Sequence, residues 1–156
     1  MNLCFKQTAI GRIGIAEENG CITNLYFETD AAPQNVELCE TEVIKVAFQQ
    51  LEAYLAGELQ TFSVPLAPHG SDFMRAVWTV LCGVPYGKTA SYKEIAITAG
   101  SPKAARAVGL ANNRNPIPLF IPCHRIIGAD GKLVGYRGGL VIKKILLDIE
   151  KHHGTL

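Results

Sequence analysis

The stretch Val64-Pro65-Leu66-Ala67-Pro68-His69-Gly70 constrains the fold more than any other, because two prolines and a glycine so close together cannot continue a helix or a central strand. The charge changes sign across it. Residues 1–68 hold three Lys and Arg against nine Asp and Glu, a balance of −6, whereas residues 69–156 hold twelve against five, a balance of +7. With 156 residues, 48% of them hydrophobic, the chain has enough apolar material to build a core. These features predict two small domains, 1–68 and 69–156, the second basic enough to meet a polyanion.

Within the first half, Leu3 to Ala9, Ile13 to Ala16 and Ile22 to Phe27 read as short strands, with Asn19-Gly20 as a hairpin turn. Val43, Val46, Ala47, Gln50, Leu51, Tyr54 and Leu55 recur at helical spacing, and Gly57 supplies a stop. This predicts a small α/β domain with a short antiparallel sheet. In the second half, Ser71-Asp72 starts a helix whose apolar stripe is Phe73, Val77, Trp78 and Leu81, with Pro85-Tyr86-Gly87 as the turn that ends it. Ser91 and Glu94 have capping-box spacing and open a short helix through Ala99, closed by Gly100. Ser101 is expected to cap the next helix, with Pro102 at its first position. Two short helices joined by a Gly-containing turn predict a helix-turn-helix in a mostly helical domain. The fold class expected is therefore α/β (α+β).

Five cysteines at irregular spacing (Cys4, Cys21, Cys39, Cys82, Cys123) predict reduced thiols rather than a disulfide scaffold. Neither a signal-peptide segment nor a membrane-spanning apolar run is seen, so a soluble, internal protein is expected. Cys4 and Cys21 have no CxxC or HxxxH spacing around them, and no metal is expected.

Chemistry concentrates at Ile121-Pro122-Cys123-His124-Arg125, where a thiol, an imidazole and a guanidinium stand side by side at the end of an apolar run. A thiol is nucleophilic as its thiolate, which neighbouring bases and cations favour. Around it lie Asn115-Pro116-Ile117-Pro118-Leu119-Phe120, Gly135-Tyr136-Arg137-Gly138-Gly139-Leu140 and, further back, Ser101-Pro102-Lys103-Ala104-Ala105-Arg106-Ala107-Val108-Gly109. The helix within that last segment is thin, with Ala104, Ala105, Ala107, Gly109 and Ala111 small and Arg106 the long cation projecting from it. Such a helix is poorly equipped to read base edges in a major groove.

From about Phe73 to Glu150, these motifs in this order resemble the O6-alkylguanine-DNA alkyltransferase family, whose members move an alkyl group from damaged guanine onto their own cysteine. The resemblance implies a winged-helix-like second domain and a partner, double-stranded DNA containing O6-alkylguanine, bound through the minor groove by a monomer. O4-methylthymine is a second candidate substrate. It further implies Cys123 as nucleophile, His124 as acceptor of its proton through an ordered water, and Glu150 as the carboxylate that fixes the imidazole. Asn115 would orient this chain, Tyr92 would donate toward the guanine ring, and Lys143 would add positive charge. Arg106 would fill the space left by the flipped nucleotide, with Tyr92, Ala104, Ala105 and Arg114 beside it on the DNA. Tyr136, Arg137, Gly138 and Ile126 would line the base pocket, with Arg137 standing where the family more often has a small Ser or Ala. No cofactor is implied, and a reaction ending in a thioether would consume the protein. The location implied is the cytoplasm, or the nucleus in a eukaryote.

Three other classes remain open at this point. A lesion-sensing binder would lack the cysteine, a transcriptional helix-turn-helix protein would carry more base-reading side chains than Arg106, and a cysteine hydrolase would turn over and need an oxyanion hole.

Overall fold

A computed structural model divides the chain into two compact units, Met1–His69 and Gly70–Leu156, and describes residues 1–153. The first unit is a four-stranded sheet with one helix. Strands β1 (Asn2–Thr8), β2 (Gly11–Glu18) and β3 (Cys21–Tyr26) form an antiparallel meander, and β4 (Glu37–Leu38) pairs in parallel with β1, giving the order β3-β2-β1-β4. The two-residue turn between β2 and β3 has positive φ at both Asn19 (54°) and Gly20 (80°), the geometry that matches strand twist and that Asn-Gly tolerates best. Two residues carry no alternation, so the sequence pattern does not announce β4.

Helix α1 (Glu42–Leu55) buries Ile44, Ala47, Phe48, Leu51 and Tyr54. The expected stripe through Val43, Val46, Gln50 and Leu55 is rotated toward its edge, since these four are only half-buried. Phe48 and Ile44 supply the volume that Val43 and Gln50 do not. Part of the stretch 64–70 is structured. Ile22 donates to the Pro65 carbonyl (2.8 Å) and accepts from the Ala67 amide (2.8 Å), so 65–67 runs beside β3. Proline cannot donate to a ladder, but its carbonyl still accepts.

In the second unit, the Ser71 hydroxyl caps α2 (Asp72–Cys82) by accepting from the Met74 amide at 3.2 Å. The helix ends at Gly83, before Pro85, and buries Val77, Trp78 and Leu81. A two-stranded parallel sheet follows, β5 (Ala90–Ser91) with β6 (Ile126–Ile127). Ser91 then caps α3 (Tyr92–Thr98) by accepting from the Glu94 amide at 3.1 Å, as the capping-box spacing predicts. Gly100, at φ 82°, ends the turn after it.

The next helix departs from expectation. α4 spans Ala105–Asn113 with Ala104 as its N-cap, so Ser101 and Pro102 lie in a preceding turn closed by Ala104 N–H donating to the Ser101 carbonyl (2.9 Å). Ala104, at φ −99° and ψ 26°, is outside the helical region, and the helical ladder begins with Val108 donating to its carbonyl. α3 and α4 form the helix-turn-helix. Trp78 ties α2 to α4, its indole N–H donating to the Ala111 carbonyl at 2.9 Å. Helix α5 (Leu140–His153) closes the unit.

Replacing Ser71 with Ala removes the α2 cap and should destabilise the second unit by about 1 kcal/mol, read as a lower urea midpoint with unchanged slope. A midpoint equal to that of the parent would mean that water satisfies the Met74 amide as well as the hydroxyl does.

Candidate active site

The loop leading to Cys123 is built around one side chain. Asn115, 2% exposed, accepts from the Ile117 amide through Oδ1 (3.0 Å) and donates through Nδ2 to the Ile121 carbonyl (2.9 Å). Ile117, Leu119, Phe120 and Ile121 are all buried, and the Ile121 amide closes the loop on the Ile117 carbonyl (2.9 Å). Leu119 holds φ at 72°, a left-handed conformation that costs a non-glycine residue on the order of 1–3 kcal/mol and persists because its surroundings hold it. From there Pro122 leads into a 3₁₀ turn, Cys123–Arg125, and directly into β6.

The pairing Ala90↔Ile126 and Ser91↔Ile127 brings the start of α3 beside this turn. Tyr92 is the first residue of that helix, and it senses the sulfur. Its hydroxyl is pushed up by burial first and by the Cys123 charge second. Gly109 of α4 lies over the Tyr92 ring, where an added Cβ would stand 3.7 Å from it.

Cys123 is 4% exposed, and burial pushes its thiol up to about 11. Working against that rise are a hydrogen bond with the Asn115 side chain, the charges of Arg137 and Lys143, and a backbone hydrogen bond. Lys143, on α5, is fully buried and donates to the Val134 carbonyl at 2.7 Å. Burial lowers its affinity for a proton, and the Cys123 charge partly restores it.

His124 and Arg125 turn to Glu150 of α5. His124 Nε2 lies 2.6 Å from Glu150 Oε2, while Arg125 donates from Nε to Oε1 (2.8 Å) and from Nη2 to Oε2 (3.1 Å). The Gly87 amide also donates to Oε1, at 3.1 Å, and Arg125 Nη1 donates to the Val84 carbonyl at 2.7 Å. An ionised carboxylate only accepts, so Nε2 carries the imidazole proton and Nδ1 is the basic nitrogen. Burial holds His124 below the ordinary histidine range despite Glu150, and Arg125 and Lys143 push the same way. The adjacent guanidinium, which the sequence suggests as an activator of the thiol, is spent on Glu150 instead.

On α4, Arg106, Ala107, Leu110, Asn113 and Arg114 are exposed, and Ala104 and Ala105 are half-buried. Ile126 is buried, Tyr136 and Gly138 half-buried and Arg137 exposed. Arg137 donates from Nη1 to the Asn115 carbonyl at 3.1 Å. Asn112 went unnoticed in the sequence. It is 3% exposed, with Nδ2 at 3.5 Å from the Cys123 carbonyl. A polar residue on the buried stripe Val108, Ala111, Asn112, Asn115 was the available signal.

Among the described residues, no three His, Cys, Asp or Glu side chains gather as a metal-binding group, and no helix is long and apolar enough to cross a membrane.

Residues 72–152 match the model for the 6-O-methylguanine DNA methyltransferase DNA binding domain, and residues 5–68 match that for its ribonuclease-like domain. The chain belongs to the 6-O-methylguanine DNA methyltransferase family. A constitutive methylated-DNA–protein-cysteine methyltransferase of Bacillus subtilis is 46% identical over 93% of this chain and 92% of its own. One from Methanosarcina barkeri is 59% identical over 69% of this chain and 68% of its own. The crystal structure of Mycobacterium tuberculosis OGT in complex with DNA superposes with a TM-score of 0.93 at 43% identity, covering 98% of this chain and 94% of that one. This methyltransferase-family fold thus spans both units of the chain.

The depressed His124 makes stability depend on pH in a definite direction. The unfolded imidazole takes up a proton below about 6.5 and the buried one does so only at lower pH, so stability is complete above that value and lost as pH falls through the window beneath it. Urea unfolding should show a loss of up to about 1.4 kcal/mol per pH unit there. His124→Gln should flatten that slope, and an unchanged slope would assign it to other groups.

Proposed function

We propose that this chain repairs DNA by direct damage reversal, moving the methyl group of O6-methylguanine onto Cys123 in a single-turnover reaction. The observation that carries this reading is the buried Cys123 at the end of the Asn115 loop, beside a histidine–glutamate pair, in a chain of this family. As implied by the family resemblance, the Cys123 proton passes through a water to His124, and the sulfur attacks the methyl carbon. The S–C bond forms as the C–O6 bond breaks, and the electron pair goes to the guanine. Tyr92 supports that departure, because a phenol held above its ordinary range keeps its proton and donates it toward the developing charge. Asn115 positions the sulfur and its loop, and buried Lys143 stabilises the thiolate. No cofactor takes part, and the product thioether is not displaced by water, so the protein is consumed.

We assign double-stranded DNA to the exposed face of α4, where Arg106 and Arg114 project from a helix slim enough at Ala104, Ala105 and Gly109 for a minor groove. A displacement needs open approach to the alkyl carbon, which a stacked base does not offer, so the guanine must be turned out. Tyr136, Gly138, Ile126 and the rim residue Arg137 form the pocket that receives it. A monomer suffices, since every assigned residue lies on one chain. We place the reaction in the cytoplasm, or the nucleus of a eukaryotic host, where DNA meets a reduced thiol. O4-methylthymine is a second substrate to test in the same assay.

Incubation with a duplex containing O6-methylguanine should add one methyl group per protein, mapped to the Cys123 peptide, and Cys123→Ala should abolish transfer while retaining DNA affinity that weakens with salt. Continued turnover, or methyl on Cys4, Cys21, Cys39 or Cys82, would remove the assignment.

Arg106 is tested by separating flipping from chemistry. Unstacking costs a few kcal/mol, part of which an inserted side chain offsets, so Arg106→Ala should slow duplex repair by about ten- to a hundredfold. Alkylation by the free base O6-benzylguanine, which needs no flipping, should change little. Equal losses on both substrates would make Arg106 a support of the fold.

A further inference from the structure

Histidine and arginine adjacent to Cys123 both turn to Glu150, so the positive field at the sulfur must come from elsewhere. The groups that face Cys123 are Tyr92 from α3, Asn115 from its own loop, Lys143 from α5 and Arg137 from the segment between β6 and α5. Lys143 is sealed from solvent, whereas Arg137 is exposed. Arg137 is also joined to the nucleophile loop by a covalently distant route. Its guanidinium donates to the carbonyl of Asn115, and the side chain of that same Asn115 braces the loop at Ile117 and Ile121, two residues before Cys123.

We infer that Arg137 is a positioning residue for the nucleophile: an exposed guanidinium that fastens the pocket loop carrying Tyr136 to the loop carrying Cys123, and gives the sulfur a positive field that solvent can screen. The inference rests on the reading of Cys123 as the alkyl acceptor. Two consequences separate it from a purely structural tie. The charge of Arg137 favours the Cys123 thiolate, so its loss must move Cys123 reactivity to higher pH. Because the guanidinium is exposed, added salt must weaken its effect, while that of the buried Lys143 persists. Lysine in its place keeps the charge but loses the planar fork that reaches the Asn115 carbonyl.

The test uses the full-length protein and iodoacetamide, a small uncharged reagent, with S-carboxamidomethylation followed on the Cys123 peptide across pH at low and high salt. Cys39, which is exposed, serves as the internal reference. Arg137→Ala should slow modification of Cys123 by about two- to fivefold at neutral pH and low salt, the range expected of an exposed charge. Its pH profile should move upward by the matching fraction of a unit, and high salt should bring the parent close to the variant. Arg137→Lys should recover most of the pH profile, and Lys144→Ala, which removes an exposed cation paired with Asp148, should leave it unchanged. Methyl transfer from the duplex, measured in parallel, should fall by a similar factor in Arg137→Ala. If Arg137→Ala keeps the parental pH profile and salt response toward iodoacetamide, the inference is overturned, even with methyl transfer intact. If those profiles shift while no variant and not even the parent takes methyl from the duplex, the role of Arg137 toward Cys123 stands and the functional reading falls.

Discussion

The carboxylate of Glu150 is the point on which the second unit turns. It is 1% exposed and accepts from the imidazole of His124, twice from the guanidinium of Arg125 and once from the Gly87 amide. Those donors come from the 3₁₀ turn that Cys123 opens and from the segment before β5, and Glu150 itself comes from α5. A buried charge is tolerable only when paired and fully hydrogen-bonded, and removing one partner typically costs about 3–5 kcal/mol. The unit therefore pulls three remote segments to one place, and the position of Cys123 follows from that convergence.

Burial decides what the histidine does. Desolvation outweighs the pull of Glu150 toward the charged form, Arg125 and Lys143 push the same way as burial, and His124 rests neutral with its proton on Nε2. A neutral imidazole is the form able to accept a proton. Charge at the sulfur is left to Lys143 and Arg137, one sealed inside and one open to solvent, each anchored on a backbone carbonyl of the segments that surround the site.

Much of this was legible in the chain. Asn19-Gly20, the Ser71 cap and the Ser91–Glu94 box work through contacts between near neighbours, and sequence spacing reports such contacts faithfully. The displaced start of α4 shows the limit of the same reasoning, because Ser101-Pro102 suits a turn as well as a helix start and only the Ala104 backbone distinguishes them. Strands β4, β5 and β6 are two residues long and exist by pairing with distant partners, so no local pattern announces them. The same holds for Arg125. Its position beside Cys123 suggested a role toward the thiol, but the partner that claims it lies 25 residues away.

The burial that pushes the Cys123 thiol up to about 11 looks, at first, like a handicap in a nucleophile. On the proposed reading it is a safety catch. A protein that reacts once cannot recover from an accidental encounter, and cellular electrophiles and oxidants attack thiolates in preference to thiols. Keeping the sulfur protonated and nearly inaccessible between lesions preserves the molecule for its single use. The cost is that chemistry must wait for a correctly seated base, which turns a low resting reactivity into discrimination between damaged DNA and everything else that could be alkylating.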